Sequence, residues 1–316
     1  MPVIALVSKM SDVQREAVHA AYPGVEFLDF SQERDGLAAR GRAAEIVYGN
    51  VRPAELPKLP NLKWIHAGWT GVENLLYPEM LERGVLITNT RGQVAPAMAE
   101  HVVAGLLYFA RDFDAFRRAQ AERRWRAGSQ ASLLEGSRAL VLGVGAIGRV
   151  LIPKLAALGV RVRGVNTDGR AVDGCDEVRT LATVREALGD VDHLICLLPA
   201  TKHTRKFIDE PFLHALKPGA SVINVSRGGP LDEAALLKLL DAGHLKGALL
   251  DVTDPEPPPA ESPLFAHPKV LLTGHESPHG SKGGPLGFET FLHNLGRYLA
   301  GDLDGMRSRV DPEMGY

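Results

Sequence analysis

The chain has 316 residues, 45% of them hydrophobic, enough for two ordinary domains with separate cores and too many for a small stapled fold. Its 36 basic and 38 acidic residues leave a formal net charge of -2, so nothing electrostatic points to nucleic acid or an anionic membrane as a partner. The two cysteines, Cys175 and Cys196, have neither zinc-site nor C-x-x-C spacing, so no metal site is expected and a reducing, cytoplasmic setting fits best. No apolar run reaches membrane-spanning length, and Met1 to Met10 lacks the charged start and long apolar core of a signal peptide.

In chain order, short β-rich runs come first, at Val3 to Val7, Val25 to Leu28, Glu45 to Tyr48, Leu62 to His66 and Val85 to Thr88. Helical segments separate them, which predicts a parallel sheet covered on both faces. A long helix is predicted from Ala97 to Ala119, because Val102, Leu106, Phe109, Phe113 and Phe116 recur at helical spacing on one face. That face is either core or a dimer contact. A second strand alternation runs from Ala139 through Arg161 to Val165, His193 to Leu198, Ser221 to Val225, Gly247 to Asp251 and Val270 to Thr273. Pro255, Pro257, Pro258 and Pro259 predict a stiff, extended loop. The last segment, from about Ser281, holds a glycine-rich run, Gly280 to Gly287, and a predicted helix, Leu286 to Leu299, that returns to the first domain.

The most informative stretch is Leu140 to Gly148, a short apolar strand running into G-x-G-x-x-G and then a helix. This arrangement marks a dinucleotide site: Gly143 permits the tight turn, Gly145 lets backbone approach a pyrophosphate, and Gly148 lets helix and strand pack closely. The anionic ligand sits on the free N–H groups and positive dipole end of the helix. Pro153 falls inside that helix and should kink it. Cofactor choice turns on the end of the Arg161 to Val165 strand, where an acid would hold the ribose 2′-hydroxyl. Asn166 stands there instead, with Thr167 and Arg170 able to accept a phosphate, which tips the reading from NAD towards NADP.

Three motifs follow, each at the carboxyl end of a predicted strand, where open α/β sheets bind ligands. In Ile223 to Gly229 an arginine, Arg227, leaves a buried strand before two glycines; it suits a bidentate carboxylate clamp, the alternative being a surface ion pair. Asp251 to Pro257 places Glu256 between prolines, and Leu272 to His275 delivers an imidazole at a strand end.

The order Gly143-x-Gly-x-x-Gly148, Asn224-Val225-x-Arg227-Gly228, Asp251-Val252-x-x-x-Glu256-Pro257 and Thr273-x-His275 resembles the D-isomer-specific 2-hydroxyacid dehydrogenase family. Trp69 to Glu73, Thr88 to Gly92 and Ala99 to His101 are similar to that family's substrate loop and interdomain entry, so the resemblance spans nearly the whole chain. It implies an α/β protein of two doubly wound parallel-sheet domains: a Rossmann nucleotide-binding domain, 99–282, inserted in a flavodoxin-like substrate domain, 1–98 and 283–316. It implies hydride transfer between a nicotinamide cofactor, NAD or NADP, and a D-2-hydroxy acid or its 2-keto acid.

His275 would protonate the forming alkoxide, Glu256 would hold the other ring nitrogen and fix the tautomer, and Arg227 would grip the substrate carboxylate and polarise the keto oxygen. Backbone N–H groups near Gly71 and Val72 would complete the carboxylate site. Ala146 and Ile147 at the phosphates, Pro199 and Thr204 in the loop after the Leu194 to Leu198 run, Val225 and Arg227 near the nicotinamide and Asp251 at its carboxamide would complete the cofactor site. Thr204 also fits a plain turn hydroxyl. Gly274, Glu276 and Ser277 around the proposed acid depart from the family's usual surroundings, and His279 is a rival to His275. A homodimer is expected. The other class of reading is a non-catalytic NAD(P)H-sensing protein on the same scaffold, against which the complete Arg227, Glu256 and His275 set argues. Formate oxidation is less attractive, because that branch is expected to carry glutamine where Glu256 stands.

Overall fold

The computed structural model describes residues 2–128, 130–279 and 287–312. The chain forms two compact units, Met1–Val94 with Ser281–Tyr316, and Ala95–Gly280.

In the first unit, β1 (Val3–Leu6), β2 (Glu26–Asp29), β3 (Ile46–Tyr48), β4 (Trp64–His66) and β5 (Leu86–Thr88) form a parallel sheet in the order β2-β1-β3-β4-β5. This is the flavodoxin-like order. Strand side chains alternate between the two faces. Ala5, Val47, Ile65 and Ile87 fill one core. Ile4, Leu6, Ile46, Tyr48 and Trp64 fill the other, together with Phe291 and Leu295 of the Phe288–Leu299 helix. Burying both faces is why these strands read as continuous apolar runs. The Asp12–Ala21 helix starts on a reciprocal cap between Ser11 and Gln14.

The second unit contains β6 (Arg138–Leu142), β7 (Arg161–Val165), β8 (Glu177–Arg179), β9 (His193–Cys196), β10 (Ala220–Asn224), β11 (Leu245–Leu250) and β12 (Val270–Leu272). They form a parallel sheet in the order β8-β7-β6-β9-β10-β11-β12. The chain runs outward from β6 to β8 and then returns to the far side of β6, so the topological switch lies between β6 and β9. In doubly wound sheets that is where ligands bind. The Ala95–Ala110 helix covers one face so closely that a Cβ on Gly105 would lie 2.7 Å from Leu249 and 3.2 Å from Ile223.

The strands match the sequence expectation to within about two residues at each end, and four features differ. The long helix is two helices, Ala95–Ala110 and Phe113–Ala121, because Asp112 adopts a left-handed conformation with φ 59 and its carboxylate accepts the Gln130 N–H and pairs with Arg126. The break puts Phe113 and Phe116 out of phase with Val102, Leu106 and Phe109, leaving them 51% and 36% exposed. Pro153 leaves the Ala146–Ala157 helix continuous, for it sits on the solvent side where water can satisfy the carbonyl it frees. The proline-rich segment is a run of bends with cis bonds before Pro255 and Pro257, not an extended rod. β8 has no apolar run to betray it; as an edge strand it is held by β7 and by Arg163 and Arg179 on Glu177. The expected helix start at Leu286 and the glycine-rich run from Gly280 lie outside the described residues, apart from Gly287 at the end of that run.

Candidate active site

The glycine loop sits at the switch point. Gly143 has φ 99, and a Cβ there would lie 2.8 Å from the carbonyl oxygen of Leu197 in the loop after β9. Only glycine lets the two loops meet this closely. A Cβ on Gly148 would stand 3.1 Å from the Gly143 carbonyl, so that glycine closes helix against strand. Gly145 differs. Nothing lies within 4 Å of a Cβ built there, and it caps the Ala146–Ala157 helix with no side-chain hydrogen bond. Ala146 and Ile147 are beside it, Ile147 half-buried. Free helical N–H groups next to open space suit a pyrophosphate, so these residues fit a dinucleotide.

Several neighbouring residues spend their side chains on their own loops. Asn166 accepts the Gly169 N–H at 2.6 Å and donates to the Arg170 carbonyl at 2.9 Å, while Asp168 takes the Arg170 N–H at 3.1 Å and its guanidinium at 2.7 Å. Thr204 is 4% exposed; its hydroxyl donates to the Pro199 carbonyl at 2.6 Å and accepts the Thr201 N–H at 2.9 Å, clasping the loop after β9. This is the turn-hydroxyl geometry.

Arg227 follows β10 on a loop fixed by Asn224, whose buried amide donates to the Arg227 carbonyl at 2.8 Å and accepts from Ser226. Val225 beside it is fully buried. Arg227 Nη1 donates to the Ser226 carbonyl at 2.7 Å. Gly228 lets this loop touch the next: a Cβ there would fall 2.1 Å from the Thr253 carbonyl carbon. The Asp254 N–H donates to Glu233 at 2.9 Å, and the Thr253 hydroxyl to the Pro255 carbonyl at 2.9 Å, which sets the segment bearing Glu256.

Glu256 Oε1 lies 2.5 Å from His275 Nδ1, with both side chains about two-fifths exposed. An ionised carboxylate here accepts the Nδ1 proton, which leaves Nε2 as the ring nitrogen able to exchange a proton elsewhere. His275 itself has φ 62 after Gly274 with φ 64. His279 pairs with Glu276 instead, at 3.3 Å, and both are about two-thirds exposed. Asp251 is buried, and its carboxylate accepts the Thr273 hydroxyl at 2.6 Å and the Glu276 and Ser277 N–H groups at 2.9 Å each. Burial would raise this carboxyl, yet hydrogen bonds from Ser277, Thr273 and Glu276 outweigh it and hold it below its ordinary range.

Gly143, Asn166, Pro199, Arg227, Asp251 and His275 therefore all follow carboxyl ends of one sheet. Gly71 and Val72 belong to the other unit, in the loop after β4, where Asn89 and Thr90 hold Thr70 and Trp69 and the Val72 side chain is core. Sequence reasoning passed over the anchors Asn224 and Ser277 and the bond from His101 Nε2 to the Thr273 hydroxyl at 3.0 Å. Asn224 is signalled by its place directly before the Val225-x-Arg227 motif, and Ser277 by its departure from the family's usual surroundings of the proposed acid.

The D-isomer specific 2-hydroxyacid dehydrogenase NAD binding domain family matches residues 103–277, more than half of the chain. The chain belongs to the D-isomer specific 2-hydroxyacid dehydrogenase family. It is an NAD(P)-dependent oxidoreductase of that class. Glyoxylate/hydroxypyruvate reductase A of Salmonella heidelberg is 32% identical over 229 residues, 71% of this chain and 73% of that protein. Among solved structures, the family member from Xanthobacter autotrophicus, in complex with NADPH and MES, is 29% identical with a TM-score of 0.86, covering 100% of this chain and 99% of that one. The NADPH-dependent glyoxylate/hydroxypyruvate reductase of Sinorhizobium meliloti, in complex with NADP and sulfate, is 27% identical with a TM-score of 0.85 and covers 100% of both chains. Among the described residues no helix is long and apolar enough to cross a membrane.

Proposed function

We propose that the chain reduces small 2-keto acids of the glyoxylate and hydroxypyruvate kind to D-2-hydroxy acids, with NADPH preferred over NADH. The observation that carries the reading is the 2.5 Å bond between Glu256 and His275 beside the Arg227 loop, on the same sheet edge as the glycine turn. A bound nicotinamide supplies the hydride to the keto carbon. His275 Nε2 gives its proton to the oxygen that becomes the hydroxyl, Glu256 keeps the other nitrogen protonated, and solvent restores the spent proton. The Arg227 guanidinium holds the carboxylate and draws charge onto the keto oxygen.

The phosphate contacts fall to Gly145, Ala146 and Ile147, in the turn that Gly143 permits and Gly148 closes against the strand, with Pro199, Thr204, Val225 and Asp251 lining the rest of the cofactor site. Preference for NADPH is supported by Asn166 where an acid would repel the 2′-phosphate, by Arg170 two residues after Asp168, and by the NADPH and NADP complexes of the two relatives. Exposed Phe113, Phe116 and Trp125 support a homodimer, and the free thiols Cys175 and Cys196 a cytoplasmic location. Oxidation of NADPH and NADH, followed by absorbance across 2-keto acids of increasing side-chain size, tests the reading. Turnover should be highest with glyoxylate or hydroxypyruvate and NADPH; a preference for bulky keto acids, or for NADH, would overturn it.

A further inference from the structure

We infer that Glu233, the first residue of the Glu233–Asp241 helix, is a positioning residue that acts through Glu256, fixing the segment that presents Glu256 to His275. The inference rests on Glu256 and His275 being the acid pair of the proposed reduction. Its geometry stands apart from that reading.

Every residue from Asp254 to Pro257 is exposed, so packing does not hold Glu256 in place and hydrogen bonds have to. Pro255 and Pro257 carry no N–H, which makes the Asp254 N–H the last backbone donor before Glu256. That donor goes to Glu233 Oε1 at 2.9 Å. One residue earlier, Thr253 meets Gly228, where a Cβ would lie 2.1 Å from the Thr253 carbonyl carbon, and the Thr253 hydroxyl donates to the Pro255 carbonyl at 2.9 Å. The stretch from Arg227 to Glu233 therefore grips the base of the Glu256 segment at two successive residues.

Glu233 is itself held. Asp232 caps its helix, accepting the Ala235 N–H at 3.2 Å, and Ala235, Leu236, Leu239 and Leu240 anchor the helix in the core of its unit. Burial raises the Glu233 carboxyl above its ordinary range, and the Asp254 and Asp232 charges push the same way against the Asp254 N–H and Lys206. Electrostatics alone disfavours a carboxylate there; what it supplies is reach from a rigid helix to one N–H. The other contact on Asp254, from Arg205 Nη1 to its carboxylate at 3.4 Å, joins side chains 68% and 45% exposed, and pairs this open hold little. Without Glu233 the Glu256 carboxylate is free to shift against His275, and misplacement of a catalytic group by about an ångström costs roughly 100-fold in rate.

The test uses the full chain. It reads kcat and KM for glyoxylate, NADPH affinity by fluorescence, and the His275 imidazole resonances by NMR, assigned by their absence from His275→Ala. Glu233→Ala should lower kcat roughly 10-fold with NADPH affinity unchanged; Glu233→Asp, which keeps the charge and shortens the reach, should lose roughly as much and serves if the alanine chain does not fold. Glu233→Gln still offers an oxygen to the Asp254 N–H and should stay within about twofold of wild type, as should Arg205→Ala. Added to Glu256→Ala, Glu233→Ala should cost less than about a further twofold, because the carboxylate it positions is gone. Glu233→Ala and Glu233→Asp should also shift the His275 resonances, and Glu233→Gln should not. Equal losses from Glu233→Ala with and without the Glu256 carboxylate would make Glu233 a general stabiliser and overturn the inference, as would unmoved resonances in Glu233→Ala or a Glu233→Gln enzyme as slow as Glu233→Ala. If the wild-type protein reduced no keto acid, the proposed function would fall, and the resonances would still decide whether Glu233 sets the pair.

Discussion

Glu256 and His275 stand 19 residues apart in sequence, yet Glu256 Oε1 meets His275 Nδ1 at 2.5 Å because β11 and β12 are neighbours and both loops leave the same sheet edge. The pairing defines which nitrogen carries the proton that Glu256 holds and which is offered to the reactant. Glu256→Gln keeps the size of the side chain and can turn its carbonyl to the ring, so the loss should be smaller than that from removing the imidazole: roughly 10-fold in kcat, against 100-fold or more for His275→Ala. Steady-state rates with saturating NADPH check the ranking, and equal losses would refute separate roles.

Gly143 and Gly145 should fail in different ways. Gly143→Ala puts a methyl 2.8 Å from the Leu197 carbonyl oxygen at a residue with φ 99, and should cost about 1–3 kcal/mol of stability. Gly145→Val meets open space in the protein, so its melting temperature should be unchanged while NADPH affinity falls at least roughly 10-fold, the side chain occupying the pyrophosphate position. Thermal melts beside fluorescence titrations separate the two; a destabilised Gly145→Val protein would contradict the assignment.

Gly228→Ala should do both kinds of damage, because a Cβ 2.1 Å from the Thr253 carbonyl carbon must push the Arg227 loop off the segment that carries Glu256. A loss of about 1–3 kcal/mol is expected from the strain, with KM for the keto acid raised as Arg227 moves. Urea denaturation and substrate saturation curves measure it, and a variant with wild-type KM would show that the two loops are independent.

Stability should fall in acid through two buried histidines, one in each unit. Burial pushes His66 and His193 down from 6.5 to about 4, and Thr88 and Ser221 satisfy one nitrogen of each at 2.8 Å. The unfolded chain takes up these protons near pH 6.5 and the folded chain only near 4, so the folded state loses ground as pH drops between the two and is untouched by these groups above 6.5. Each site should cost about 2 kcal/mol at pH 5 relative to pH 7. Urea melts of His66→Gln and His193→Gln at both pH values test this. A pH dependence identical to wild type in both variants would remove the histidines as its source.

Much of the architecture was legible because parallel strands buried on both faces must be apolar along their length, as Leu140 to Leu142 and Ile195 to Cys196 are, and because the glycine turn needs its residues at fixed spacing. The strand-end motifs bearing Arg227, Glu256 and His275 were legible for the same reason. Side-chain commitments were not. Whether Asn166, Thr204 or Asp251 faces a ligand or its own loop depends on hydrogen bonds a few residues away, and nothing in their spacing separates the two. The break at Asp112 was hidden because the apolar spacing continues through Phe113 and Phe116 although the backbone does not. β8 was hidden because Glu177 and Arg179 serve an ion-pair cluster at a sheet edge and not a core.

The most direct test of the account is glyoxylate reduction with NADPH by His275→Ala and His279→Ala side by side. His279 is paired with Glu276 on the surface, so its removal should leave turnover within about twofold of wild type, whereas loss of His275 should lower kcat by roughly 100-fold or more with NADPH still bound. Retained turnover in His275→Ala with loss in His279→Ala would contradict the pairing of Glu256 with the catalytic acid.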